Sequence, residues 1–250
     1  VKEKTDTDFA MPPIEICVTM RVETAMPLWI IFAGILTPAI FWIAYFGFKD
    51  RLQPEPFLKI GTAYLLGIGS ALVVVQVLRL LPLMGLPDDP SLLMESQRLG
   101  YLLYSICVTG PLEEFFKFLP FLVFVLNFRA FDEQIDGIIY ASLIALGFAS
   151  YENIQYLAYM DGLELFGRAF ASPLTHTIFS SIWGYTVGTA RLERKSLFWP
   201  SVLGIGLAAI FHGVFNFLTT SPVLRIGSSL LILVIWIWRI RTIEKLSKKY

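Results

Sequence analysis

Seven long apolar runs, separated by short segments rich in proline, glycine and charge, set the pattern of this chain. They cover roughly residues 26–48, 57–82, 99–128, 135–158, 169–190, 198–220 and 223–240. Each approaches or exceeds the ~20 residues a helix needs to cross a bilayer at ~1.5 Å per residue. The runs are continuous and lack the period-2 alternation of half-buried strands. In hydrocarbon, backbone groups find partners only within helices or closed barrels. The pattern therefore predicts an all-α, polytopic transmembrane helix bundle of about seven spanning helices. Residues 1–25 mix charge with short apolar pieces around Pro12-Pro13 and lack the basic-then-apolar order of a signal peptide. They read as a soluble or interfacial tail, residues 26–242 as one membrane domain, and 243–250 as a basic cytoplasmic tail.

The third run is interrupted at Thr109-Gly110-Pro111. This reads as a fresh helix start, with proline at the first helical position and Glu113 and Glu114 in the first turn. The alternative is one long helix kinked at Pro111. In the fifth run, Gly184 and Gly188 fit the small-xxx-small spacing of close helix packing.

Composition agrees with a membrane protein. Of 250 residues, 56% are hydrophobic and 16% charged, against about 25% charged in soluble domains. The net charge of zero gives no sign of nucleic-acid binding. Two cysteines, Cys17 and Cys107, make no disulfide framework. With seven spans, twelve Lys and Arg fall on the side of the C-terminus and seven on the other. The positive-inside rule then puts the N-terminus outside and the C-terminus in the cytoplasm.

The ionisable residues inside the runs are few and grouped. They are Glu113-Glu114-Phe-Phe-Lys117, then Phe148-Ala-Ser-Tyr-Glu152-Asn153, then His176, then His212-Gly-Val-Phe-Asn216. A charge at bilayer depth costs a few kcal/mol or more, so it needs a partner or a function. Lys117 shares a helix face with both glutamates, while adjacent glutamates point about 100° apart. An intramembrane ion pair accounts for one of them and leaves the other over. Glu152 and Asn153 also suit a helix end at the water interface, and His176 an interfacial or capping position. His212 and Asn216 lie one turn apart on one face of an otherwise apolar run. With the N-terminus outside, all four motifs fall in the outer half of the bilayer, so they are expected to converge on an intramembrane polar cavity. Such a set suits hydrolysis, a proton relay in a transporter, or a scaffold that binds a partner helix.

These motifs, in this order, resemble the PrsW family of intramembrane proteases, itself distantly related to the CAAX prenyl endopeptidases. The similarity extends to Asp50-Arg51-Leu-Gln-Pro-Glu-Pro56, to Asp136-Gly137 and to Gly184–Gly188, and spans about residues 26–220. The resemblance implies an intramembrane endopeptidase of a bacterial cytoplasmic membrane that cuts a membrane-anchored protein, such as an anti-sigma-factor-like regulator, with a glutamate-activated water. By carry-over, Glu113 or Glu114 is the base, assisted by His176. His212 and Asn216 would bind the oxyanion. Glu152 and Asn153 would orient water, substrate or a histidine, and Lys117 would hold one glutamate ionised. No cofactor is favoured. The alternative is zinc, with His176, His212 and Glu152 as candidate ligands and a glutamate as base. The H-E-x-x-H, G-x-S-G and G-x-G-D patterns of other protease classes do not occur.

Overall fold

The computed structural model describes residues 28–49, 53–87, 90, 93–94, 97–157 and 162–247. The expected N-terminal tail and the Asp50-Arg51 pair lie outside the described residues. Helices, with no strand among the described residues, run as α1 (Leu28–Lys49), α2 (Phe57–Leu80), α3 (Arg98–Tyr104), α4 (Gly110–Val123), α5 (Gln134–Leu157), α6 (Gly162–Leu192), α7 (Phe198–Leu218) and α8 (Arg225–Ser247). Because α3 runs on into α4, these form seven rods that match the seven apolar runs. Five regions, in α1, α2, α5, α7 and α8, are long and apolar enough to span a membrane. The remaining rods, α3–α4 and α6, carry Glu113-Glu114-Lys117 and His176, while the other two motifs lie on α5 and α7. Outward-facing side chains such as Leu65, Leu203 and Val234 are exposed apolar groups, which suits lipid rather than water.

The reading of Thr109-Gly110-Pro111 as a new helix start does not hold, and the alternative of one long helical rod does. Ser105–Thr109 form a π-helical turn, in which Gly110 N–H donates to Ser105 O five residues back. Thr109 itself has helical backbone angles and makes no side-chain cap. Pro111 has no N–H to give and its ring crowds the carbonyl four residues earlier; a wider turn just before it accommodates both. Glu113 and Glu114 therefore sit inside a continuous rod, not at a free helix end with its dipole.

Helix α5 is the hub. Its apolar span is 89% buried, whereas the other four spans are only 22% to 28% buried. It packs most extensively on α6 and next on α2, while α4 packs on α7 and α2. Small residues allow this closeness. A Cβ on Gly147 would lie 1.9 Å from the Tyr64 carbonyl oxygen, and one on Gly67 would lie 1.9 Å from that of Ile144. On the other side, a Cβ on Gly184 would come within 2.3 Å of Gly137 O, so the Gly184 signal does mark a helix crossing. Gly147→Val is expected to force α2 from α5, since the obstacle is backbone that cannot turn aside. Overpacking costs about 1–3 kcal/mol or more. Thermal unfolding of the purified protein in detergent should show a midpoint several degrees lower, and an unchanged midpoint would mean that the two helices are not locked.

At the opposite end from the motifs, Asp136 Oδ2 accepts the backbone N–H groups of Asp132 at 2.9 Å and Glu133 at 2.7 Å. The Tyr140 hydroxyl donates to Glu55. These contacts fix the start of α5 and tie it to the segment before α2. The chain end also differs from the sequence reading. Helix α8 continues to Ser247, past the expected start of the basic tail at residue 243, and Arg239, inside the last apolar run, is fully buried. Its Nη2 donates to Ser142 Oγ at 2.8 Å, and its guanidinium faces the rings of Phe46 and Trp236.

Candidate active site

Four helices bring one polar cluster together inside the bundle. Helix α4 supplies Glu113, Glu114 and Lys117, α5 supplies Phe148 and Glu152, α6 supplies His176, and α7 supplies His212. All of these belong to the four sequence motifs, with Phe148 the one apolar member. The imidazoles of His176 and His212 stand perpendicular with ring centres 4.9 Å apart. Phe148 packs on His176 and Phe179 on His212, each at 5.5 Å between ring centres.

The two adjacent glutamates have different surroundings. Glu114 is fully buried and every partner donates to it. Oε1 accepts from Lys117 Nζ at 2.6 Å and pairs with His212 Nδ1 at 3.0 Å. Oε2 accepts from Ser180 Oγ at 2.8 Å and Trp183 Nε1 at 2.9 Å. Its lone pairs are committed. Glu113 faces the opening between the two imidazoles instead. Its Oε2 lies 3.6 Å from His212 Nε2 and 3.9 Å from His176 Nδ1. That oxygen is buried and has no hydrogen-bond partner.

Lys117 is fully buried and joins these groups. Its Nζ lies 2.6 Å from Glu114 Oε1, 2.9 Å from His176 Nδ1 and 3.7 Å from Glu113 Oε2. It also sits 4.5 Å from the centre of the Phe148 ring. An ammonium only donates, so His176 Nδ1 accepts and Nε2 carries the proton. That Nε2 meets Glu152 Oε2 at 2.8 Å. Ionised Glu114 is likewise an acceptor, which makes His212 Nδ1 the donor and leaves the Nε2 lone pair toward Glu113. Glu113 Oε2, His212 Nε2 and His176 Nδ1 thus lie near one another as acceptors, with the last of them taken by Lys117 Nζ.

Those three groups, Glu113, His176 and His212, can each offer one ligand atom, all within 4.8 Å of one another. The donor set fits a divalent cation such as zinc, since each histidine is braced by a carboxylate on its far nitrogen. Glu152 lies on the far side of the His176 ring, so the group that could hold an ion contains Glu113 and not Glu152.

Two sequence-selected residues stay apart from the cluster. Asn153 is buried, but its Oδ1 and Nδ2 have no partner. With Glu152 turned to His176, its neighbour points about 100° away. Asn216 follows His212 by one turn and is half-buried. Conversely, Arg168, Ser172, Ser180 and Trp183 were not singled out in sequence, although all touch the cluster. With His176 they fall at intervals of four, four, four and three residues along α6. That helical stripe was the available signal, hidden because serine and tryptophan are ordinary in apolar helices.

Comparison with known proteins follows the same lines. A family model described as PrsW family intramembrane metalloprotease matches residues 55–240. A protein of Oceanobacillus iheyensis named protease PrsW is 32% identical over 76% of this chain and 83% of its own length. Its namesake in Geobacillus kaustophilus is 30% identical over 76% of this chain and 79% of its own. The Bacillus subtilis protein of that name is 29% identical over 77% and 83%. No solved structure matches the chain.

Proposed function

This chain belongs to the PrsW family and is an intramembrane peptidase, and from that premise we propose that it cuts a membrane-anchored protein with a water activated by Glu113. The carrying observation is the unpartnered, buried Glu113 Oε2 between two imidazole nitrogens. A water there meets a carboxylate free to take its proton, which is what a general base requires. Glu114 is a poor base, because four donors already hold it. It steadies Lys117 and His212 instead. His212, whose Nε2 lies 3.6 Å from Glu113 Oε2, polarises the scissile carbonyl, while Asn216, one turn along α7, stands outside the cluster. Glu152 holds the His176 ring. The proton taken by Glu113 passes to the leaving amine, so peptide and water become acid and amine.

The second reading is favoured by three groups that can each offer one ligand atom within 4.8 Å of the others. Glu113, His176 and His212 would hold zinc, which would polarise carbonyl and water as a Lewis acid. Against it, Lys117 Nζ occupies the inward face of His176 Nδ1 at 2.9 Å. Among substrates, a single-span protein with an extracytoplasmic domain suits the outer depth of the motifs and the Lys/Arg asymmetry. Regulators of the anti-sigma-factor type are one such class.

The test is cleavage of fluorogenic single-span peptides by purified protein in proteoliposomes, with the cut mapped by mass spectrometry and metal content measured alongside. A cut in the outer half of the peptide's span is expected, and no cleavage across a broad peptide set would overturn the reading. One zinc per chain, lost to a chelator together with activity and restored with it, selects the second mechanism. Activity without stoichiometric metal selects the first.

A further inference from the structure

We propose that Arg168 is a positioning residue of this site, acting through Glu152 to hold His176 with its proton on Nε2 and an unprotonated Nδ1 on the side of Lys117 and Glu113. The inference rests on the reading of Glu113, His176 and His212 as the hydrolytic centre, and it applies to either form of that reading.

The contacts form an unbroken series from the rim inward. Arg168 Nη2 lies 3.2 Å from Glu152 Oε1. Glu152 Oε2 lies 2.8 Å from His176 Nε2 and accepts from Ser172 Oγ at 3.4 Å. His176 Nδ1 then meets Lys117 Nζ at 2.9 Å and faces Glu113 Oε2 at 3.9 Å. A guanidinium only donates. Arg168 therefore keeps Glu152 an acceptor, and an accepting Glu152 requires the His176 proton on Nε2. Lys117 imposes the same tautomer from the other side, but it is shared among His176 and both glutamates and does not hold the ring alone.

Burial explains why Glu152 needs a keeper. Its side chain is 24% exposed and that of Arg168 17%, while that of His176 is only 5% exposed. Glu152 is thus the most exposed member of the series, with room to swing outward if its cation is removed. The guanidinium is itself fixed, with its central carbon 3.8 Å from the centre of the Tyr156 ring. Such cation–π stacking holds a planar group against a rigid face. Arg168 and Glu152 also tie α6 to α5, so the brace joins the two most closely packed helices beside the reacting groups.

If Glu152 lets go, His176 is free to turn and present Nδ1–H to Glu113. A donor there consumes the lone pair that the base, or a ligand, must keep. Residues that orient a reacting histidine typically contribute 10- to 100-fold when removed.

The test uses the full-length protein in proteoliposomes and a fluorogenic single-span peptide that the wild-type protein cuts. Arg168→Met is expected to lower kcat about 10- to 100-fold, with KM and thermal midpoint near the wild-type values. Arg168→Lys should recover part of the loss, and Tyr156→Phe, which keeps the ring, should resemble wild type. The deciding measurement is the Arg168→Met/Glu152→Gln double variant. Residues acting in series are non-additive, so it should be no slower than Glu152→Gln alone. Wild-type kcat in Arg168→Met, a loss confined to KM, or losses that multiply in the double variant would each overturn the proposal. If Arg168→Met does not fold, Arg168→Lys combined with Glu152→Gln gives the same comparison. Glu113→Gln is run in parallel. Activity in that variant removes the underlying reading, whereas an inactive Glu113→Gln beside a fully active Arg168→Met removes only this inference.

Discussion

Glu113→Gln is expected to leave the protein folded and to abolish cleavage, with kcat reduced by about 10³-fold or more. General-base catalysis alone contributes about 10²–10⁴-fold, and this carboxylate also faces both imidazoles. The fold should tolerate the change because Oε2 has no hydrogen bond to lose, and the Lys117 ammonium 3.7 Å away keeps Glu114 as its closer partner. Single-turnover cleavage of the peptide and a thermal midpoint within a few degrees of wild type check the two halves of the expectation. Retained turnover would remove Glu113 from the chemistry.

Glu114, one residue along, should behave in the opposite way. Four donors converge on its carboxylate, and a glutamine amide cannot accept from all of them. Glu114→Leu goes further and leaves the buried Lys117 without its nearest counter-charge. Removing one partner of a buried pair costs about 3–5 kcal/mol, enough to collapse the folded yield of a marginal protein. Loss of folded protein in detergent, read by thermal unfolding and protease resistance, is the measurement. The Glu114→Leu/Lys117→Met double variant should regain much of that stability, since no unpaired charge remains, and still not cleave. If Glu114→Leu folds as well as wild type while losing activity, Glu114 belongs to the chemistry and not to the scaffold.

The contrast between the two glutamates shows where sequence reading stops. The runs between residues 26 and 240 were legible as helices because the hydrocarbon thickness fixes their length and leaves the backbone little choice. Glu113, Glu114, Lys117, Glu152, His176 and His212 were legible because charge in such runs is costly and therefore rare. Which glutamate is held and which is free was not, since it depends on Ser180 and Trp183 arriving from α6. Residues that are only mildly polar leave no trace in a hydropathy pattern. Arg168 and Arg239 entered only as members of the count of basic residues on each side, and such a count does not say which way a helix turns them. The joint before Pro111 was misread for a related reason. Proline signals an interruption of hydrogen bonding, but not whether the chain stops or widens by one residue.

That widened turn at Ser105–Thr109 acts as a phase setter. A π turn holds one residue more than the α-turn it replaces, so everything after it is rotated by about 100° relative to an uninterrupted helix. Glu113, Glu114 and Lys117 face α5, α6 and α7 because of that single extra residue. A chain one residue shorter between 105 and 109 would close an ordinary α turn there and still aim its carboxylates at the histidines, whereas this same sequence wound without the wide turn would aim them elsewhere, with an identical hydropathy profile.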